Sequence, residues 1–407
     1  MKKSILIGGL FMAFLGQAQN VDENRVSVSY IQLPINVINK AVKVYEVDIN
    51  RSFEQANEDS LSRYQIELES AASIYEAELA QWKAQCEAME RDYLSRMAAW
   101  EKQSQTASTS GAPPSSPPLA PVYPAHPVQQ EVELPQLHND LDENMVNNGV
   151  DLKGFDKGSG GAIITVDMYP ISQFKVNEKK VVKDGVTTYE YFASYKLPIG
   201  LKVEDPSQGV VLQTIIGNSV QQHNMKSYAS KYDFQLWWMD NADQFWMDFE
   251  KVVRRKAVNQ LNTELNEKSG FPVKSKTIEI YTVKRYKDHN YSDLVNAYTL
   301  ATQGYQKVSN TRDRSEAHAK LNEAIAAWKN ILTESNLSDN KSRINDKVTA
   351  LLQCNIAQAY IWMSEFDQAE VYINLAKNCG IGKFERIARA LAGSLAERKQ
   401  RWNAYFE

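Results

Sequence analysis

The sequence predicts an α+β chain in which a small β-containing domain, a long heptad helix and a C-terminal helical bundle are joined. Three observations predict it. Short apolar stretches with a period of two recur between residues 26 and 216. A seven-residue period replaces them between Asp59 and about Lys102. Beyond residue 206 there is one proline, Pro272, so nothing interrupts the helical pattern that runs from Ser292 to the end.

The first residues read as an export signal. Lys2 and Lys3 give a short cationic start and Ile5 to Leu15 an apolar run. Gly16-Gln17-Ala18 then places small side chains where a signal peptidase cuts. The apolar run falls short of the about 20 residues that span a bilayer. Residues 1–18 are therefore expected to be a signal peptide cleaved near Ala18 or Gln19, the rival being a retained N-terminal anchor. No cysteine follows to carry a lipid, and no later window reaches transmembrane length. The mature chain is expected to be periplasmic or otherwise exported, with an outer-membrane complex as one place of association.

Composition narrows the function. A net charge of -4 lacks the basic face of a nucleic-acid binder. The histidines at 126, 138, 223, 289 and 318 form no HxH or HExxH pair, and Cys86, Cys354 and Cys379 have no CxxC spacing, so neither a metal nor another cofactor is expected. Cys354 and Cys379 are the one pair within a single apparent domain that an oxidising compartment would allow to join.

Residues 21–58 read as an N-terminal β segment: Val26, Val28 and Tyr30 alternate up to Leu33-Pro34, and Val42 to Ile49 form a second strand. From 59 to 102, Leu61, Leu68, Tyr75, Trp82 and Met89 recur every seven residues, with Ala72, Leu79, Cys86, Tyr93 and Trp100 as the second seam. Such a coiled-coil-like helix is expected either to lie along the rest of the chain or to pair with another chain. Residues 103–133, rich in serine and proline, read as a semi-rigid spacer. Residues 134–290 read as an α+β domain with strands at Ala162–Met168, Tyr189–Tyr195, Ile199–Val203, Gly209–Ile216 and Lys276–Tyr286, and a helix from about Asn241 to Glu267 with Asp240 as its N-cap. Tyr30–Ile35 with Val44–Val47 resembles Met168–Ile171 with Thr188–Tyr191, which reads either as a weak internal duplication or as coincidence among short strands.

Residues 291–407 carry the most specific pattern. Ile356-Ala357 and Tyr360 on one helix, then Phe366, Ala369, Ile373 and Ala376 on the next, alternate small and large side chains so that two helices pack closely. This window, 350–383, resembles a tetratricopeptide (TPR) repeat. Ala297-Tyr298, Ala301, Tyr305, Ala317, Leu321, Ala324 and Trp328 resemble a second, degenerate copy, with a long connection at Ser309–Ser315, and Phe384 to about Trp402 a cap. Three repeats are usual for a free-standing array, so two are expected to lean on the α+β domain. The resemblance implies a non-catalytic protein-binding scaffold and, on its first helix, groove-facing positions at Leu351, Cys354, Gln358 and Trp362. Leu351, Gln358 and Trp362 are the candidate partner-binding residues, Leu351 and Trp362 having burial against the preceding helix pair as the competing reading.

Candidate chemistry is weaker. Trp237-Trp238-Met239-Asp240 and Asp243-Gln244-Phe245-Trp246 set carboxylates beside aromatics, as a glycosidase does. Helical spacing from Phe245 through Phe249 to Val253 favours core instead. Gly158-Ser159-Gly160-Gly161 lacks the GK[ST] of a phosphate loop and leads into a strand. Lys251, Arg254, Arg255 and Lys256 read as a solvated basic face partly offset by Glu250 and Glu264. The expected function is that of an exported scaffold or adaptor for another cell-envelope protein. The alternatives are a periplasmic holdase-type chaperone and a glycan-binding or glycan-active enzyme using Asp240 or Asp243.

Overall fold

A computed structural model describes residues 20–407 apart from 111–112, 114–115, 286–288 and 309–313. The expected signal peptide, residues 1–18, lies outside the described residues. Both helices and sheets are present, as an α+β chain requires.

Two hydrophobic cores organise the described residues. The first is built on a mixed sheet of order β3-β2-β4-β7-β8, formed by β2 (Val44–Asn50), β3 (Asp156–Lys157), β4 (Ala162–Met168), β7 (Ile199–Asp205) and β8 (Gly209–Ile216). β4 pairs in parallel with β2 and antiparallel with β7. Gly161 permits the close approach at its start, since a Cβ there would stand 1.9 Å from the Val44 carbonyl oxygen. Ile164, Val166 and Met168 bury completely on one face beneath α3 (Lys231–Lys268), which contributes Trp246, Phe249, Val253, Ala257, Leu261 and Leu265. A short helix α2 (Glu143–Gly149) closes this core with Val146.

A three-stranded antiparallel sheet, β5 (Ser172–Lys183), β6 (Val186–Lys196) and β9 (Gln221–Tyr228), lies beside it. β5 and β9 were not legible as strands, because β5 is lysine-rich and mostly exposed. Asp184-Gly185, both with positive φ, is the two-residue turn signal that marks the β5–β6 hairpin.

The second core joins a ribbon of β1 (Asn20–Ile31) and β10 (Val273–Arg285), paired antiparallel along their length, to the C-terminal helices α4 (Ser292–Val308), α5 (Ser315–Leu332), α6 (Asp346–Met363), α7 (Phe366–Asn378) and α8 (Gly382–Phe406). Asn355 on α6 accepts from the Tyr281 backbone N–H at 3.0 Å and donates to its carbonyl at 2.8 Å, so a side chain satisfies the edge of β10. The two cores are stitched where the chain crosses twice. Ile35 and Asn36 donate to the Lys268 carbonyl, and the buried Arg401 donates to the carbonyls of Leu33 and Glu267 and to the Glu267 carboxylate.

Several sequence expectations are corrected. Residues 21–58 are not one unit: β1 belongs to the C-terminal core, β2 to the mixed sheet, and residues from Ser52 onward to a helix. β10 likewise joins the C-terminal core rather than the 134–290 domain. The two copies of the suspected duplication occupy unlike places, β1 pairing with β10 and β4 with β2 and β7. α3 starts ten residues before the expected helix, at a Ser230–Asp233 capping box, and Asp240 lies inside it. Arg254 is buried, not part of a solvated face, while Lys251, Arg255 and Lys256 are exposed.

The long helix α1 spans Ser52–Ser110. It opens earlier than expected because Phe53 buries in the sheet core, and runs further because no glycine or proline interrupts it before Gly111. At 1.5 Å per residue its 59 residues reach about 88 Å.

Candidate interaction surfaces

α1 and the segment after it form one device. The side chains of Leu68, Tyr75, Trp82 and Met89, with Ala72, Leu79, Cys86 and Tyr93, make a half-buried stripe on an otherwise exposed helix. Residues of the expected spacer return along this stripe. The Trp82 indole N–H donates to the Pro124 carbonyl at 2.9 Å and its ring lies 4.8 Å from His126. Gln130–Glu133 and Glu67–Ile74 line a common groove. Asn57 pairs with the His138 backbone through two hydrogen bonds, Nδ2 to the carbonyl at 2.9 Å and N–H to Oδ1 at 2.8 Å.

The geometry fixes how extended that return is. From Asn57 to Trp82 the helix advances roughly 38 Å, and the chain from Pro124 to His138 covers the same distance in 14 steps. That is about 2.7 Å per residue, close to the rise of a polyproline II helix. Pro118, Pro121, Pro124 and Pro127 recur every third residue, which places them on one face of such a helix. This period was the signal for the pairing, and reading the segment as composition alone misses it. Residues 103–133 are therefore not a free spacer: through Ser110 they continue the helix, and from about Pro118 they pack back onto it.

The base of this arm is anchored on a buried ionic cluster. The Glu250 carboxylate accepts from Arg254 Nε at 3.0 Å and from its terminal nitrogen at 2.6 Å, from the Asn139 backbone and side chain at 2.8 and 2.7 Å, and lies 3.2 Å from His138 Nδ1. Glu250 and Arg254 are 1 % and 2 % exposed, and the Arg254 guanidinium stacks over Phe53 at 4.2 Å. Burial alone pushes the Glu250 carboxyl up, but the His138 contact, the Arg254 charge and the Asn139 amide together hold it below the usual carboxylate range. Arg254 feels the opposite balance, burial pushing it down while Glu250 pulls it back. The cluster ties the start of α1 and the end of the returning segment to α3.

A second surface lies between β10, α6 and α8. Gln358 is half-buried there and lines a groove with Trp362, Ile361, Tyr281, Ile387 and Leu391. Trp362 is 3 % exposed and held edge-on to Tyr30, ring centroids 5.1 Å apart, with the Arg398 guanidinium 4.3 Å over its ring. Leu351 is fully buried and offers no surface to a partner, the outcome that its apolar side chain also allowed. Cys354 is 1 % exposed in the core, so it too faces inward. The Cys354 and Cys379 thiols are both free, and burial pushes Cys354 up to about 12. Phe366, Ala369, Ile373 and Ala376 are buried, as are Ala297, Ala301, Tyr305, Ala317, Leu321, Ala324 and Trp328. The expected connection at Ser309–Ser315 lies largely outside the described residues.

The aromatic side chains of the tryptophan-rich segment pack against one another, with Trp237 and Trp238 half-buried. Phe234 stacks on Tyr191 at 3.7 Å, with Tyr228, Trp237 and Trp238 around it. Asp240 and Asp243 stand exposed three residues apart on one helix, side by side rather than across a cleft. Gly158–Gly161 leads into β4, not into a helix N-terminus. Among the described residues no group of three or more His, Cys, Asp or Glu side chains could hold a metal ion, and no helix is long and apolar enough to cross a membrane.

Compared with family models, curated proteins and solved structures, the chain matched none.

Proposed function

We propose that this chain is an exported, non-catalytic scaffold or adaptor that holds another cell-envelope protein or complex. The observation that carries this reading is the arm: a helix of about 88 Å, backed by its own returning segment and anchored at one end, is geometry for reaching a partner rather than enclosing a substrate. Ile66, Ile74 and Leu94 lie exposed along it as candidate contacts. The C-terminal helices support the same reading. The two-residue α6–α7 connection, with Ser364 in the left-handed region, and the small-and-large packing across it resemble a TPR repeat, a class of protein-binding scaffold. Gln358 and the edge of Trp362 are the positions proposed for partner contact there.

The test is affinity capture from an envelope extract with the mature chain and with a variant lacking residues 66–131, which keeps the Asn57–His138 clasp. A stoichiometric partner that is lost from the variant supports the adaptor. A broad set of unfolded clients makes the chain a holdase instead, and a polysaccharide turned over by the mature chain but not by Asp240→Asn or Asp243→Asn ends both binding readings.

A further inference from the structure

The cavity at the end of the β1–β10 ribbon collects three cations that form no salt bridge among the described residues. Tyr30, Gln32, Phe366 and Trp402 wall it, and Lys276, Arg314 and Arg398 enter it from β10, the start of α5 and α8. Two further charges line it, Arg401 and Glu397, and they pair at 3.2 Å, while Arg401 also bonds Glu267 outside the cavity at 2.7 Å. Among the described residues no carboxylate lies within salt-bridge distance of Lys276, Arg314 or Arg398. Lys276 donates to the Ser394 hydroxyl at 2.8 Å, and Arg398 Nε is buried with no hydrogen-bond partner. Arg398 is held in place by its flat faces, 4.3 Å from Trp362 and 5.3 Å from Tyr30, which leaves its N–H edge without a protein acceptor.

A buried Nε–H without an acceptor is costly, and three neighbouring cations repel one another. Burial pushes Arg398 down to about 10, with Arg314 adding to the effect against an upward pull from Tyr30 and Glu397, and burial together with Arg398 lowers Lys276 against a smaller pull from Glu397. Burial likewise lowers Arg314. A fold does not assemble such a cluster for packing alone, since methionine or leucine would fill the volume without the penalty.

We propose that this cavity binds the phosphoryl group of an organic phosphate monoester. The charge count favours it over a carboxylate: a phosphate monoester brings close to two negative charges and three terminal oxygens, one for each unpaired cation, where a carboxylate would leave two cations uncompensated. The cavity holds about 50 Å³, room for the head group and not for a whole ligand. Lys276 and Ser394 also line the neighbouring groove of about 210 Å³, whose apolar side is formed by Ile361, Trp362, Ile387 and Leu391 and where the organic part would lie. This small-molecule site shares the Gln358–Trp362 groove with the partner contact proposed for the C-terminal helices, and is independent of whether the arm holds a partner protein.

The test is calorimetric titration of the mature chain with phenyl phosphate, inorganic phosphate and benzoate at one fixed ionic strength. Phenyl phosphate is expected to bind at least about tenfold more tightly than benzoate, and more tightly than inorganic phosphate because the groove takes the ring. Lys276→Met, Arg314→Met and Arg398→Met are each expected to weaken it by about tenfold to a hundredfold, the loss of one charge-assisted hydrogen bond. Lys251→Met, an exposed lysine on α3, is the control that leaves binding unchanged. No binding of phenyl phosphate at millimolar concentration, benzoate binding equally well, or three cavity variants that bind like the parent each overturn the proposal. Should Arg398→Met fail to fold, the more exposed Lys276 and Arg314 variants decide the question.

Discussion

Replacing Glu250 by glutamine should loosen the root of the arm. The substitution preserves shape and removes one charge, leaving Arg254 buried and positive with its second terminal nitrogen already unpartnered. Breaking a buried ion pair from one side costs about 3–5 kcal/mol. The Asn139 backbone and side-chain donors also face a weaker acceptor, so the upper part of that range is expected. The assay is urea denaturation of the mature chain followed by tryptophan fluorescence. Replacing both partners, Glu250→Leu with Arg254→Met, should cost far less, within about 2 kcal/mol of the parent, because no charge is stranded. The pH dependence has a definite sign. The folded-state value of Glu250 is lowered from its ordinary 4.5, so the stability it contributes is present above that pH and lost as the pH falls through the folded value. The gap between parent and Glu250→Gln should therefore hold at pH 7 and narrow below pH 4.5. A single variant costing under about 1 kcal/mol, or a double variant as unstable as the single, refutes the assignment of this cluster as the anchor.

The returning proline segment can be tested locally. Trp82→Ala removes the hydrogen bond to Pro124, worth about 1 kcal/mol, and should speed proteolysis between residues 116 and 135 while leaving the global unfolding midpoint in place. Gly161→Ala should destabilise by about 2–3 kcal/mol in the same denaturation assay, because its methyl group would meet the Val44 carbonyl and force β2 and β4 apart. With a thiol reagent at pH 8, half-exposed Cys86 should react on mixing and Cys354 only after unfolding, its thiolate fraction being on the order of 10⁻⁴ behind a closed core. Finally, Ala357→Leu or Ala369→Leu, both fully buried at the α6–α7 contact, should cost about 1–3 kcal/mol by thermal melting.

The sequence by itself determined the local elements whose period is set by one-sided burial. Val26 and Val28 on a strand, the seven-residue stripe of α1, and the alternation of small and large residues on α6 and α7 each bury one face, and that face is written in the spacing. It also carried the proline period at 118, 121, 124 and 127, although that period means nothing until a helix lies beside it. Only the tertiary structure decided what each face meets. β1 and β10 lie some 250 residues apart and pair because each supplies the other's missing edge hydrogen bonds, which no local pattern records. Arg254 sat in a run of basic residues that looked solvated, and is buried because Glu250, one turn back on the same helix, pairs with it and Phe53, far away in sequence, covers its guanidinium. Leu351 and Gln358 stand seven residues apart on one helix, yet Leu351 is fully buried in the core and Gln358 is half-buried in a groove lined by β10 and α8, a difference their spacing does not record. The cation cavity is the extreme case, with Lys276, Arg314 and Arg398 drawn from a strand and two helices. Charge is visible in a sequence, whereas the absence of a counter-charge exists only once the chain is folded.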